Sequence, residues 1–132
     1  MTPPYQTSLF IKVRDYECDM QGIVNNAVYQ NYLEHGRHEY LIERGLDFAQ
    51  ITESGVHLVV VRAELDYKRP LKSGLRFKVM SHLERVSRLK FVFKQKILSP
   101  DERQVYLEAV IFCVSLNRGG RPSPFKDLEA LL

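Results

Sequence analysis

Apolar residues in the first third of the chain recur every three or four positions, which is the period of a helix. They form one stripe that consists of Val28, Tyr29, Tyr32, Leu33, Gly36 and Tyr40. Asn25 and Asn26 can accept hydrogen bonds from the free N–H groups of a first helical turn, and Gly45 suits a left-handed C-terminal cap. The pattern therefore predicts a helix of about four to five turns that packs its stripe against a sheet.

Gly36 is the unusual member of this stripe. A glycine inside a helix costs about 1 kcal/mol relative to alanine, so a small residue at this position needs a packing reason. We expect another backbone to pass very close to the helix at Gly36.

Alternating apolar and polar residues, a stretch rich in β-branched residues and intervening turn signals predict five strands in the rest of the chain. They cover residues 9–14, 56–67, 75–83, 89–98 and 105–116. We expect residues 46–55 to be irregular, Asp15 and Glu17 to alternate along the end of the first strand, and residues 124–132 to form a short terminal helix. One strand, a long helix and four strands joined by tight turns indicate an α+β fold, an antiparallel sheet with the helix on one face. Such a sheet leaves an edge and a face uncovered, which favours self-association.

Composition fits one domain that spans residues 1–132, with 45% hydrophobic and 27% charged residues. A net charge of +3 without clustered basic and aromatic residues argues against a nucleic-acid partner. No secretory signal or apolar segment of about 18 residues is visible, so we expect a cytoplasmic protein without a membrane partner. Cys18 and Cys113 have neither a metal-ligand spacing nor a partner for a catalytic thiol, so we expect no metal site.

The loop before the helix carries the candidate chemistry. Asp19 lies a few residues ahead of a helix N-terminus, where free N–H groups and the helix dipole favour negative charge. A carboxylate beside unpaired amide donors can activate a nucleophile while the donors hold an oxyanion. An aspartate at this position can equally accept hydrogen bonds from its loop or cap the helix, and these structural roles are more common. Asp15 and Glu17 are further acids nearby, for which a structural role is favoured.

Residues 19–27 (DMQGIVNNA), Tyr29 and residues 32–37 (YLEHGR) resemble the signature of hot-dog-fold acyl-CoA thioesterases. The resemblance is to the branch that contains 4-hydroxybenzoyl-CoA thioesterase and the bacterial YbgC-like enzymes. It extends through residues 59–61 (VVV) and 66–70 (DYKRP) and covers essentially the whole chain. It implies an antiparallel sheet wrapped around one long helix, and a homodimer or dimer of dimers with each active site between two subunits.

The resemblance also implies an activity and its residues. The expected reaction is hydrolysis of a small or medium acyl- or aryl-CoA, with Asp19 as nucleophile or general base and no cofactor other than the CoA of the substrate. The backbone N–H of Asn26 is the implied oxyanion donor, although YbgC-like relatives often carry His and the 4-hydroxybenzoyl branch Tyr at this position. The implied substrate-binding residues are Gly22, Ile23, Val24, Tyr29 and Tyr32. At helical spacing, such tyrosines are more often core residues.

A CoA substrate brings phosphates, which need basic groups near the mouth of the site. By resemblance, the predicted phosphate-binding residues are Arg85, Ser87, Arg88 and Lys90. A second basic cluster consists of Lys68, Arg69 and Lys72, and both clusters are also compatible with solvated turns. Three alternatives stay open: an acyl carrier protein as carrier of the acyl group, a non-catalytic acyl-CoA-binding protein, and a hydratase, which is disfavoured because the loop supplies no catalytic histidine.

Overall fold

The computed structural model describes residues 7–132. One long helix is followed by a short one, by four strands and by a terminal helical turn. In chain order the elements are β1 (Thr7–Lys12), α1 (Asn26–Glu43), α2 (Phe48–Glu53), β2 (His57–Tyr67), β3 (Arg76–Arg85), β4 (Lys90–Leu98), β5 (Val105–Leu116) and α3 (Lys126–Glu129). The five strands form one antiparallel sheet in the order β1-β3-β4-β5-β2. The predicted α+β architecture is confirmed, and β1 and β2 are the two edge strands.

Helix α1 forms where the period predicted it. Asn25 is the N-cap, and its side-chain oxygen accepts from the N–H of Ala27 at 3.4 Å. At the other end Gly45 has φ of +84° and donates to the carbonyl of Ile42, and Leu46 donates to that of Leu41. This pair of bonds satisfies the last carbonyls of the helix, as predicted for a glycine in the left-handed region.

The core lies between α1 and the sheet. The predicted stripe is buried except for Val28, which is half-buried, and Leu41 completes it. Phe77, Val79 and Ile97 face it from β3 and β4, and each has no exposed surface. The apolar period of the helix and the alternation of the strands therefore meet in one core.

Gly36 does allow a close approach, but the prediction of a neighbouring backbone is wrong. A Cβ atom at Gly36 would lie 2.7 Å from Cγ1 of Val79, 3.1 Å from Nε2 of Gln95 and 3.3 Å from Oγ of Ser81. These are side chains of the sheet, which fill the space that a larger residue on the helix would take.

Gln95 is a polar residue in this core, and it is 1% exposed. Its Nε2 donates to the carbonyl of Leu33 and to Oγ of Ser81, each at 2.9 Å. Its Oε1 accepts from Nη1 of Arg37 at 3.2 Å. The amide of Gln95 thus joins β3, β4 and α1 beneath Gly36, and all its polar atoms have partners, as a buried amide requires.

We expect Gly36→Ala to destabilise the fold. The new Cβ overlaps Val79, which is fully buried and cannot move away freely. Overpacking should outweigh the gain in helix propensity, with a net loss of about 1–2 kcal/mol in the free energy of unfolding, measured by urea denaturation. Val79→Ala removes the overlapping Cγ1, so it should cost less stability in the Gly36→Ala background than in the wild type. Additive effects of the two substitutions would contradict the explanation.

Two local predictions are wrong. Residues 46–55 are not irregular, because Asp47 caps α2 by accepting from the N–H of Ala49 at 2.9 Å and Ile51 is buried. Asp15 and Glu17 do not extend β1, because they lie in a 3₁₀ turn in which the N–H of Glu17 donates to the carbonyl of Arg14. The terminal helix is shorter than residues 124–132, since α3 spans only Lys126–Glu129.

Candidate active site

The loop that carries Asp19 is held at both sides. Cys18 and Val24 pair as an isolated antiparallel bridge, which brings the two legs of the loop together. Val24 is 2% exposed and donates its N–H to the carbonyl of Leu71 at 2.8 Å, while the half-buried Ile23 pairs with Lys72. The loop is therefore fixed against the segment that connects β2 to β3.

A tight turn at the end of this loop explains the Asp-x-x-Gly spacing. Asp19 donates its N–H to the carbonyl of Ile23 at 2.8 Å, and Gly22 donates to the carbonyl of Asp19 at 3.0 Å. Gly22 has φ of +81°, a conformation that other residues rarely adopt, and it is exposed. Gly22 therefore shapes the turn, and its predicted contact with a substrate stays a prediction.

The carboxylate of Asp19 is exposed, and one of its two oxygens accepts hydrogen bonds from the loop. Its Oδ1 accepts from the N–H of Gln21 at 2.8 Å and more weakly from that of Ile23 at 3.4 Å. Within the described residues, Oδ2 has no hydrogen-bond partner. The loop thus orients the carboxylate and leaves one oxygen for another group.

The first turn of α1 follows directly. Asn25, the N-cap, accepts from the N–H of Ala27 with its side chain and from the N–H of Val28 with its backbone carbonyl. The N–H of Asn26 has no acceptor among residues 7–132, so none of these residues occupies the predicted donor. The carbonyl of Asn26 accepts from Oη of Tyr67 at 3.4 Å, which places the end of β2 beside this turn.

Tyr29 and Tyr32 lie in the core beneath this turn, 3% and 4% exposed. The hydroxyl of Tyr29 accepts from the N–H of Leu71 at 3.0 Å, and that of Tyr32 donates to Oε1 of Glu17 at 2.8 Å. Both tyrosines therefore hold the loop and the β2–β3 connection against α1. Their predicted contact with a substrate stays a prediction.

A cavity of about 660 Å³ lies between β1 and the outer side of α1. Tyr32, Glu17 and His35 are among the residues that line it, but Asp19 and Asn26 are not. Within one chain, Asp19 therefore stands at the surface and not inside this cavity.

The predicted phosphate-binding residues lie at the opposite end of the molecule. Arg85 closes β3 and forms a two-point ion pair with Glu129 of α3, with one contact at 3.1 Å. Ser87 and Arg88 follow on the exposed β3–β4 connection, and the exposed Lys90 is the first residue of β4. The 18 residues of α1 separate this connection from Asp19, a length of about 27 Å. One chain does not bring the two groups together.

The second basic cluster is close to the loop. Lys72 pairs with Ile23 through the backbone, and Arg69 and Lys72 line a cavity of about 280 Å³ together with Pro70, Gln104 and Tyr106. Basic residues therefore lie on the segment that pairs with the Asp19 loop within the same chain.

Cys18 is half-buried and Cys113 is buried, and both thiols are free. Partial desolvation and the carboxylates of Asp15, Asp19 and Glu17 raise the pKa of the Cys18 thiol, and burial raises that of Cys113 to about 11. Neither environment favours a thiolate nucleophile.

Among residues 7–132, no group of three or more His, Cys, Asp or Glu side chains is arranged to hold a metal ion. No helix of these residues has the length and apolar character needed to span a membrane.

The sheet, the helix that it wraps and the Asp19 loop together match a known family. Residues 13–130 match the family described as the thioesterase-like superfamily. The chain belongs to this superfamily. The predicted hot-dog thioesterase resemblance is thereby confirmed at the level of the family, and the YbgC-like branch stays a prediction.

Two curated relatives of this thioesterase-like chain show different carriers in their names. It is 38% identical over 113 residues to the chloroplastic acyl-acyl carrier protein thioesterase ATL2 of Arabidopsis thaliana, which covers 86% of this chain and 60% of that protein. It is 32% identical over 107 residues to the long-chain acyl-CoA thioesterase FadM of Escherichia coli, which covers 81% of this chain and 80% of that protein. The chain thus spans about three-fifths of the Arabidopsis relative.

The thioesterase-like fold is also found in solved structures. Slr0204 of Synechocystis, a 1,4-dihydroxy-2-naphthoyl-CoA thioesterase, superposes with a TM-score of 0.87 at 18% identity over 94% of this chain and 93% of that chain. At this identity the likeness concerns the hot-dog fold.

Two residues of the thioesterase-like site were missed or underrated from the sequence. Tyr67 contacts the first turn of α1 through the carbonyl of Asn26 and through an edge-to-face contact with Tyr29, with centroids 5.3 Å apart. The side chain of Glu17 accepts a hydrogen bond from the hydroxyl of Tyr32, which lies in α1. The DYKRP segment pointed to Tyr67, whereas no periodic signal pointed to Glu17, because it lies in a 3₁₀ turn.

Proposed function

We propose that this protein hydrolyses the thioester of a small or medium acyl- or aryl-CoA, with Asp19 as the reacting carboxylate. The observation that carries the proposal is that the loop and the helix start after it provide an oriented carboxylate and a free backbone N–H. Oδ1 of Asp19 is held by loop N–H groups while Oδ2 is unpartnered, and the N–H of Asn26 at the helix start lacks an acceptor among the described residues. Helix N-termini of this kind stabilise developing negative charge.

The reaction can follow two routes. In the first, Oδ2 of Asp19 bonds to the thioester carbon, the C–S bond breaks, and water later cleaves the mixed anhydride to release the acid and regenerate Asp19. In the second, Asp19 takes a proton from a water that attacks directly, and that proton passes to the leaving thiolate. In both, the thioester oxygen becomes an oxyanion that the N–H of Asn26 stabilises, so neither route needs a metal or a redox cofactor.

The carrier of the acyl group has two candidates. FadM supports CoA by its name, and the Arabidopsis relative supports acyl carrier protein as the second candidate function. A net charge of +3 suits both the phosphates of CoA and an acidic carrier protein. A cytoplasmic location stays part of the proposal, and the Arabidopsis relative is chloroplastic.

The proposed enzyme is a homodimer joined through β2. This edge strand is long, and Val60 and Val61 are 48% and 53% exposed on it. Val61 lies at a bulge between the paired residues Val60 and Arg62, and nothing in the described residues covers the outer edge. An exposed apolar edge strand favours pairing with a second copy.

Such a pairing explains why the phosphate-binding residues lie far from Asp19 in one chain. The Asp19 loop lies near Leu71, past the Tyr67 end of β2, whereas Lys90 pairs with Val114 near its His57 end. Two copies of β2 that pair antiparallel bring the β3–β4 connection of one subunit to the Asp19 end of the other. The partner subunit's Arg88 and Lys90 then contact the CoA phosphates, while Arg85 stays engaged with Glu129.

This arrangement predicts complementation between two defective chains. Asp19→Asn removes the reacting carboxylate, and Arg88→Glu combined with Lys90→Glu should raise KM for acyl-CoA by about tenfold or more through lost charge-assisted bonds. Co-expressed with different tags and purified as a mixed dimer, the two chains should regain one complete site. We expect the kcat/KM of the mixed dimer to approach half that of the wild type.

A mixed dimer no more active than its parents would contradict the shared site. The same charge reversal at Lys68 and Lys72 is the matched comparison, because this cluster lies beside Asp19 in its own chain. If Lys68 and Lys72 serve the site of their own chain, this variant should not complement Asp19→Asn. The mixed dimer then keeps Lys68 and Lys72 only on the chain that lacks Asp19, so neither site is complete.

The activity itself is tested by thiol release from acyl-CoA and acyl-carrier-protein substrates of increasing chain length and from aryl-CoA. Binding of a non-hydrolysable thioether analogue is measured in parallel by calorimetry. Turnover of one series defines the carrier and the acyl group. Tight binding of the analogue without thiol release from any substrate would establish a binding protein and overturn the proposed function.

A further inference from the structure

Glu17 holds the candidate catalytic loop through one oxygen atom. Its Oε1 accepts from Oη of Tyr32 at 2.8 Å and from the N–H of Arg14 at 2.8 Å. Its Oε2 lies 3.7 Å from Nη1 of Arg14, and its side chain is 14% exposed. The carboxylate is therefore largely buried, and a single atom, Oε1, accepts both hydrogen bonds.

The backbone of Glu17 is tied to the start of α1. Its carbonyl accepts from the N–H of Asn25, the helix cap, at 3.0 Å. One residue thus links the 3₁₀ turn before Asp19, the cap after it and a core tyrosine inside the helix. Asp19 is two residues from Glu17, between these attachments, so the position of its carboxylate relative to the N–H of Asn26 depends on them.

We propose that Glu17 and Tyr32 form a positioning pair that sets Asp19 against the N-terminus of α1. The inference rests on the proposed function, because it concerns the same site. It assigns no contact with substrate to Glu17. The pair acts by restricting where the loop can lie, and small displacements of a reacting group can cost about 100-fold in rate.

The chemistry of the pair fits positioning and not proton transfer to substrate. Oε1 of Glu17 already accepts two hydrogen bonds. Burial and the neighbouring Glu17 raise the pKa of the Tyr32 hydroxyl well above its ordinary value, so the hydroxyl remains a donor.

Three variants separate the roles. Glu17→Ala and Tyr32→Phe should each lower kcat by about 30-fold with little change in KM, since the displaced loop affects the reacting carboxylate more than the ligand. Glu17→Gln keeps Oε1, and with it both short bonds, so we expect kcat within about threefold of the wild type. The shape of its pH–rate profile should be unchanged, whereas a proton-transferring Glu17 would lose a limb of the profile in this variant.

Tyr40→Phe is the matched control for loss of a buried tyrosine hydroxyl on α1. Tyr40 is 1% exposed, and its hydroxyl contacts Leu83 on β3, away from the loop. Like Tyr32→Phe, it should lower the melting temperature, but it should not lower kcat. Equal kcat losses in the two variants would mean a general effect on the fold and overturn the proposal.

The Asp19→Asn background distinguishes this inference from the proposed function. If the pair acts through Asp19, adding Tyr32→Phe to Asp19→Asn should leave the residual rate unchanged, although Tyr32→Phe alone slows the enzyme. Full activity in Asp19→Asn would overturn the catalytic assignment itself. An inactive Asp19→Asn together with fully active Glu17→Ala and Tyr32→Phe would overturn only the positioning pair.

Discussion

Asp19→Asn should lower kcat for thioester hydrolysis by about 1,000-fold, the usual loss when a reacting acid or base is removed. This corresponds to about 4 kcal/mol of transition-state stabilisation. Asn keeps an oxygen that can accept from the N–H of Gln21 and Ile23, so the loop should retain its shape. We expect KM and the melting temperature to stay close to those of the wild type. The measurement is thiol release under single-turnover conditions.

Asp15→Asn is the control for this experiment. Asp15 is a second exposed acid in the preceding turn, and it hydrogen-bonds Oγ of Ser73. Its amide can replace that bond, so a modest effect on kcat is expected. A loss in Asp15→Asn as large as that in Asp19→Asn would mean that loop charge, and not the Asp19 carboxylate, governs the rate.

Gln95→Leu is expected to cause the largest loss of stability, about 3 kcal/mol in the free energy of unfolding. Leu fills a similar volume but offers no partner to Arg37, whose pKa is already lowered by burial. It also removes the donors that Leu33 and Ser81 accept from. A half-buried cation that loses its acceptor costs more than the bond itself.

Removing the cation as well should relieve most of this loss. Gln95→Leu combined with Arg37→Met replaces the whole polar contact by apolar groups, and we expect the double variant to be more stable than Gln95→Leu alone. Urea denaturation midpoints at constant m-value provide the comparison. A double variant less stable than Gln95→Leu would show that the cost arises from packing and not from an unpaired guanidinium.

The elements with a long, regular period could be predicted from the sequence. Helix α1 and strand β3 repeat their patterns over several turns or pairs, and caps at Asn25 and Gly45 marked the ends of the helix. Strand β2 was recognised by its β-branched residues. Helix α2 has only six residues, too few for a period, and only its cap at Asp47 could have revealed it. Strand order depends on contacts between distant segments, which one sequence does not display.

The residues of the candidate site stay predictions, and their arrangement in space could not be predicted from the sequence. Asp19 and Asn26 were found from a local motif, and the structure leaves one carboxylate oxygen and one N–H without partners among the described residues. Glu17 and Gln95 could not be weighted correctly, because a charged or amide residue gains its meaning from the partner it meets after folding. For Gln95 these partners come from three separate elements.

The dependence of the Asp19 loop on Leu71 and Lys72 has a consequence for the order in which the protein matures. The loop is synthesised early, but Leu71 and Lys72, which hold it in place, come after β2 in the chain. Strand β1 likewise has to wait for β3, and β2 for β5. A nascent chain that has emerged only as far as α1 therefore has the motif without its geometry, and pairings of such high contact order form slowly. Catalytic competence should arise at the end of folding, together with the complete sheet.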